Sequence, residues 1–403
     1  MYTCGECTRL YICTFLSDFT ALHATHKANL IKTPLHPMSI YPIGGVVNSY
    51  QLTSLNLLIG HVQPKPEYER ELLSLKDGGT VGIDWLASPF RHDVNTPIVI
   101  LQHGLCGHTY SHYMKGQPEV LTQAGLYVAS FVARGCGGVP LTTPETFTAS
   151  RTNDFREVVQ YISKTYPGRK IAAVGYSLGA GLLLKYLGEE GENCIISAAV
   201  AISPAYDFHD RTHLFTKYER MGMVNGLINL VKNHEGFLKN HPDSCLDWNG
   251  MMNCRTVREF DQAAIVGKPP NEGSNRVGMD AYGTSSPDKL TGNRHKRDFL
   301  HFATVDDYYT ASSSKHYIQC ITIPTLAISS KDDFLSAHTS VPTKSELIGT
   351  GMCVLMTPHG GHVSFSDCFG NAYGPASCWS DRVSAAWIKS CTITVPVAEE
   401  IKV

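Results

Sequence analysis

The chain has 403 residues, more than one minimal core needs, so it fits one large α/β domain with insertions or two smaller domains. A hydrophobic content of 43% beside 17% charged residues is ordinary for a water-soluble fold. The net charge of 34 − 36 = −2 and the lack of a clustered basic face argue against a nucleic-acid partner, and no apolar run approaches the ~18 residues of a spanning helix.

Residues 1–67 read as a partly flexible N-terminal arm, broken by Pro34, Pro37, Pro42, Pro64 and Pro66. The run Leu10–Phe15 is short and has no basic leader, so no signal peptide is expected and the expected compartment is the cytoplasm. The 13 cysteines are scattered and odd in number, which suits reduced, mostly buried thiols. Cys4-x-x-Cys7 is a lone pair without a second half, a weak signal for zinc. Acylation of Cys4, Cys7 and Cys13 would be one route to peripheral membrane association.

Organisation begins with Arg70–Leu75 and Thr80–Leu86, two strand-like runs around Asp77-Gly78-Gly79 that read as a hairpin at an antiparallel sheet edge. Pro97–Gln102 is continuous and β-branched, as a central parallel strand should be, and it ends in His103-Gly104-Leu105. A helix around Pro118–Gly125 follows, then a strand over Leu126–Val132 ending in Arg134-Gly135-Cys136-Gly137-Gly138. In Thr152–Tyr166 the residues Phe155, Val158, Val159 and Ile162 repeat at helical spacing. Lys170–Val174 is a strand, Leu182–Leu187 lies in a helix, and Ala198–Ser203 is a further strand. The alternation predicts a mostly parallel central sheet with helices on both faces. From 205 to 320 the rhythm stops: helical patches at Gly226–Lys232 and Val257–Ala264 precede a Gly/Pro/Asn/Ser-rich loop over Gly267–Asn293. This block reads as a cap or lid inserted between two parts of one core, 68–204 and 321–392. The core resumes with strands at Thr325–Ser329 and Met352–Thr357 and closes with a helix over Ser380–Ser390, leaving a tail at 393–403.

Gly175-Tyr176-Ser177-Leu178-Gly179 lies between a buried strand and an apolar helix, the setting of a nucleophile elbow. Gly175 and Gly179 are the small residues that the tight turn needs. In a parallel sheet, residues just past the strand ends share one edge. Here that edge holds His103-Gly104, Arg134-Gly135, Ser177, Asp332/Asp333 and His359/His362. A serine hydroxyl attacks only if a base takes its proton, and a carboxylate fixes the base's tautomer. Asp332 and Asp333 are adjacent and cannot both face one imidazole. Of the histidines, His362 follows Gly360-Gly361, which give its loop room; His359 is the second choice. The oxyanion donors expected are the N–H groups of Leu178 and Leu105, with His103 and Gly104 holding the latter's loop. Cys106 and Cys136 read as bystanders open to thiol reagents. The glycine-rich run after Arg134 lacks a phosphate-loop lysine and reads as a tight turn. No metal or cofactor is expected.

Together Asp77-Gly78-Gly79, Asp84-Trp85, His103-Gly104-Leu105, Ser111-His112-Tyr113, Arg134–Gly138 and Gly175-x-Ser177-x-Gly179 resemble the YheT-like (abhydrolase-domain) branch of the α/β-hydrolases. Arg258-Glu259-Phe260-Asp261, Asp307-Tyr308-Tyr309 and Gly360-Gly361-His362 extend the match over roughly residues 68–392. The resemblance implies an α/β-hydrolase fold and a serine hydrolase of lipid esters: carboxylesterase, acylglycerol lipase, phospholipase or acyltransferase. The turn Ser330–Asp333 resembles the family's Gly-x-x-Asp turn, which points to Asp333. The implied triad is Ser177, Asp333 and His362. Phe334 stands where the family often has Pro, and the Gly267–Asn293 loop is longer than usual, so substrate choice does not carry over. The expected function is cleavage of fatty acyl esters through an acyl-enzyme on Ser177. The alternatives are an acyltransferase that uses the same intermediate and a non-catalytic lipid-binding scaffold.

Overall fold

Eight strands form one open sheet in the order β1-β2-β4-β3-β5-β6-β7-β8. They are β1 (Tyr68–Ser74), β2 (Thr80–Leu86), β3 (Ile98–Gln102), β4 (Tyr127–Val132), β5 (Ile171–Tyr176), β6 (Ile196–Ile202), β7 (Thr325–Ser330) and β8 (Met352–Thr357). The computed structural model describes residues 65–211, 217–242, 244–267, 302–365 and 378–393. Cys4, Cys7 and Cys13, nearly all of the expected arm and of the Gly267–Asn293 loop, and the tail after Ile393 lie outside them.

β1 and β2 pair antiparallel around Asp77-Gly78-Gly79, and β2 meets β4 antiparallel, so the hairpin forms one edge. All other pairings are parallel. The central strands are buried on both faces, which explains why their sequences run apolar without alternation. Alternate residues still go to opposite sides. Ile98 and Ile100 join a cluster with Phe155, Val158 and Leu182, while Val99 and Leu101 join another with Leu121, Val383 and Trp387.

The helices that cover these faces follow from their apolar stripes. α1 (Gln117–Gln123) and the C-terminal helix Trp379–Thr392 lie on one side. α2 (Asn153–Thr165) buries Phe155, Val158, Val159 and Ile162, and α3 (Leu178–Glu190) is buried over most of its length. The C-terminal helix is longer at both ends than its sequence stripe indicated. Among the described residues no helix is long and apolar enough to cross a membrane.

Between β6 and β7 lie α4 (Phe208–Arg211), α5 (Lys217–Lys232), α6 (Glu235–Asn240), α7 (Trp248–Asn253), α8 (Val257–Asp261) and α9 (Val305–Ser312). Leu227, Val231, Leu238, Met251 and Phe260 make a small apolar core here, with Leu141 of the main body packed into it. The helical periodicity at 226–232 is only the last part of α5. The patch at 257–264 is not one α-helix: α8 stops at Asp261 and widens into a π-helical turn over Gln262–Val266. α9 starts at a capping box in which Thr304 and Asp307 satisfy each other's backbone N–H groups. The sequence therefore uses Asp307 of its Asp-Tyr-Tyr motif to start a helix, and the two tyrosines turn into the protein.

Candidate active site

Ser177 sits between β5 and α3 with φ 52° and ψ −119°, a strained backbone for a residue with a side chain. The turn is so tight that its neighbours must be glycine. A Cβ on Gly179 would lie 2.3 Å from the His103 carbonyl oxygen, and one on Gly175 would lie 2.8 Å from the Gly179 oxygen. These contacts tie the elbow to the loop after β3 and leave the Ser177 side chain in a cavity.

The Ser177 Oγ lies 2.7 Å from His362 Nε2. His362 Nδ1 lies 3.0 Å from both carboxylate oxygens of Asp333. Both His362 and Asp333 are buried, at 6% and 3% exposure. Asp333 Oδ1 also accepts the N–H groups of Leu335 (2.9 Å) and Ser336 (2.8 Å), which orients the carboxylate. Asp332 faces elsewhere. It accepts the Gly361 N–H at 3.0 Å and lies 3.3 Å from Nδ1 of the exposed His359. The structure thus brings His362 and Asp333 to the serine and pairs His359 with Asp332 at the rim.

The His362 loop is pinned on both sides. Ser330 Oγ donates to the Gly361 carbonyl, and the Val363 N–H donates to Ser203 Oγ. Ser203, just past β6, has φ 48° and was not singled out from the sequence. Its place at a strand end, in Ser203-Pro204, is the only local signal.

The loop after β3 is clamped peptide by peptide. His103 is fully buried, and its Nε2 accepts the Ala133 N–H at 3.1 Å. Nδ1 must then carry the proton and donate to the Gly104 carbonyl at 2.8 Å. Burial drives the His103 pKa down to about 4, so the ring stays neutral at pH 7. The Gly107 N–H donates to the same carbonyl. In a trans peptide the N–H points opposite the carbonyl, so fixing Gly104 O also fixes the direction of the Leu105 N–H. On the other side, the Gly104 N–H donates to the Tyr113 hydroxyl at 2.9 Å, and the Tyr113 ring packs 5.3 Å from that of Tyr176 in the elbow. A Cβ on Gly104 would be 3.1 Å from Ser177 Cβ, so the loop lies against the serine. No hydrogen bond to the Leu105 or Leu178 N–H forms among the described residues. Leu178 opens α3, so its N–H lies at the positive end of the helix dipole.

Arg134 lies under this edge, 1% exposed. It grips Asp154 with two bonds of 2.6 and 2.7 Å and reaches Asp77 and Thr143. It is an anchor between the hairpin turn and α2. Cys106 is half-buried and Cys136 buried; burial pushes the Cys106 thiol up to about 12 and the Cys136 thiol higher still, which disfavours the thiolate form.

The cavity in front of Ser177 takes in about 1100 Å³, counting its open mouth. Leu105, Phe147, Leu227, Val231, Phe260 and Ile265 supply apolar walls. One wall, residues 146–149, is tied from behind: Ala149 N–H donates to the Tyr308 hydroxyl, and buried Lys185 donates to the Ser150 carbonyl at 2.7 Å. Asp261 also lines the cavity. Burial pushes its carboxyl up to about 7, against the opposing effects of the Tyr309 hydroxyl and the Arg258 charge. Among the described residues no group of three or more His, Cys, Asp or Glu could hold a metal ion.

The Serine aminopeptidase, S33 family profile (Hydrolase_4) matches residues 94–243. The chain is 27% identical over 310 residues to Protein abhd-3.2 of Caenorhabditis elegans, covering 75% of this chain and 73% of that one. It is 25% identical over 342 residues to Phospholipase ABHD3 of Mus musculus, covering 81% and 73%. It is 27% identical over 332 residues to the putative esterase YheT of Escherichia coli, covering 80% and 86%.

Proposed function

We propose that the chain is a carboxylic ester hydrolase of the YheT-like α/β-hydrolase type, and that it cleaves esters of fatty acyl chains through an acyl-enzyme on Ser177. The observation that carries this reading is one hydrogen-bonded line, from Ser177 through His362 to Asp333, opening into an apolar cavity. Similarity to a phospholipase and to a putative esterase favours a lipid ester as substrate.

The proposed steps are these. Ser177 Oγ attacks the ester carbonyl carbon while His362 Nε2 takes its proton. Asp333 holds the ring in the tautomer that leaves Nε2 free, then stabilises the imidazolium. The carbonyl oxygen becomes an oxyanion and accepts the Leu178 and Leu105 N–H groups, whose directions the elbow and the clamped loop have fixed. The bond to the alcohol oxygen breaks, and the alcohol leaves with the proton from His362. Water then attacks the acyl-enzyme with His362 again as base, and the fatty acid departs. An apolar cavity around an acyl chain keeps bulk water from screening these steps. Release to water gives hydrolysis; release to an alcohol would give acyl transfer.

The test is an ester panel graded by acyl length, run on wild type and Ser177→Ala, with fluorophosphonate labelling alongside. Ser177→Ala should lose at least roughly a thousandfold in turnover and all labelling. Equal rates in the two proteins would sink the assignment.

A further inference from the structure

Two motifs, Arg258-Glu259-Phe260-Asp261 and Asp307-Tyr308-Tyr309, take no part in the steps above, yet they meet at the cavity wall. The Tyr309 hydroxyl donates to Asp261 Oδ2 at 2.9 Å, joining α8 to α9. Asp261 is only 8% exposed. No other hydrogen bond or ion pair to its carboxyl forms among the described residues. The nearest cation in the sequence, Arg258, is turned to the surface, where it holds Asp306 through bonds of 2.9 and 2.6 Å. A buried carboxyl bonded to one neutral partner, with the nearest charge only acting at a distance from over the Tyr309 ring, costs stability. The fold could have removed that cost by giving it Arg258, and it does not. Directly after Asp261 the helix widens into the π turn, an irregularity that recurs at functional sites, and Ala264 and Ile265 of that turn line the same cavity. The other carboxylate that lines the cavity, Asp207, is already held by Lys315, Ser313 and the His209 N–H, whereas Asp261 has Tyr309 alone; in a mostly apolar pocket a few such polar groups orient a ligand.

We propose that Asp261, oriented by Tyr309, is a specificity-determining residue that accepts a hydrogen bond from a hydroxyl on the substrate, away from the ester. The favoured substrates are then esters that carry a hydroxyl on the alcohol part or along the acyl chain, over plain alkyl esters of the same length. This inference rests on the ester-hydrolase reading of Ser177. The alcohol part and the acyl chain are two sources of the same chemistry, and separate substrate pairs tell them apart.

One pair compares a monoacylglycerol with the propyl ester of the same fatty acid. The other compares an acyl ester hydroxylated at the chain end with its unsubstituted counterpart. The readout is the ratio of kcat/KM within each pair. Wild type should prefer the hydroxylated member of one pair by roughly tenfold or more, since a site built to bond a hydroxyl discriminates strongly against its absence. The preferred pair names the side that enters the cavity. Asp261→Leu should bring that ratio to about one, and Asp261→Asn, which keeps an acceptor oxygen, should retain part of it. Tyr309→Phe should reduce it and supplies a second test if Asp261→Leu fails to fold. Labelling of wild type at Ser177 with no preference in either pair overturns this inference alone. So does a preference that survives Asp261→Leu. Absence of labelling and of turnover in wild type overturns the catalytic reading, and this inference with it.

Discussion

Tyr113→Phe removes one oxygen and leaves the ring that packs on Tyr176. Its effect can be worked from two bonds. The Gly104 N–H loses its acceptor, and an inward-facing donor left unpaired costs about 1–3 kcal/mol. That cost falls on folding, and a melting point lower by roughly 2–5 °C follows for a domain of about 300 residues. The catalytic effect is more limited. The Gly104 carbonyl keeps the His103 Nδ1–H and Gly107 N–H bonds, so the Leu105 N–H keeps most of its direction. Complete loss of an oxyanion donor costs about 10²–10³ in rate, so a loosened one should cost roughly tenfold. The assay is single-turnover acylation with a short-chain p-nitrophenyl ester, which isolates the step that forms the oxyanion. Unchanged acylation in a destabilised protein would refute the view that Tyr113 sets the loop. A loss beyond about 10³ would also refute it, because Tyr113 would then have to touch the reacting atoms.

The neighbouring acids should separate cleanly: Asp333→Asn loses roughly 10³–10⁴ in kcat because the imidazole loses its tautomer control, whereas Asp332→Asn, which gives up only the Gly361 and His359 contacts, stays within about tenfold of wild type. Steady-state kinetics on one ester decides this. Asp261 has a folded value of about 7 against an ordinary value near 4, so the unfolded chain holds fewer protons between them. The stability tied to its protonation is therefore full below pH ~4 and is lost as pH rises through ~7, with a ceiling of about 4 kcal/mol. Tyr309 and Arg258 are the groups that act on it. Asp261→Asn should flatten the fall in urea midpoint between pH 5 and pH 8, and an unchanged slope would remove Asp261 as its cause. Gly188→Ala, near the C-terminal end of α3, places a Cβ 2.2 Å from the Tyr317 carbonyl oxygen and should cost about 1–3 kcal/mol in denaturant unfolding.

The sheet was readable because its information is local. A strand buried on both faces must be apolar throughout, and a turn as tight as the elbow needs glycine two residues before and two residues after Ser177. The rule that parallel strands end at one edge placed Asp332/Asp333 and His359/His362 near the serine, the glycines before His362 favoured that ring, and the resemblance of the Ser330–Asp333 turn to the family's pattern picked Asp333. What could not be read depended on distant pairings. Asp261 and Tyr309 are 48 residues apart and meet through packing that no periodicity encodes. The change from α8 to the π turn leaves no mark in the apolar spacing of 257–264. Ser111-His112-Tyr113 was visible as a motif, but the acceptor role of the Tyr113 hydroxyl depends on the path of the Gly104 backbone.

β6 and β7 lie side by side and in register, with Val200 opposite Leu326 and Ile202 opposite Ile328. The chain departs after Ser203 and resumes at Thr325, so more than a hundred residues are spliced between two adjacent strands. Seen from the sheet, that excursion amounts to one long crossover. Ser177, Asp333 and His362 belong to loops on either side of the splice, whereas much of the cavity wall, Leu227, Phe260, Asp261 and Tyr309 among it, belongs to the splice itself. Under the proposed function, such a layout puts the groups that react and most of the surface that selects on separate stretches of chain, so that one can be altered without rebuilding the other.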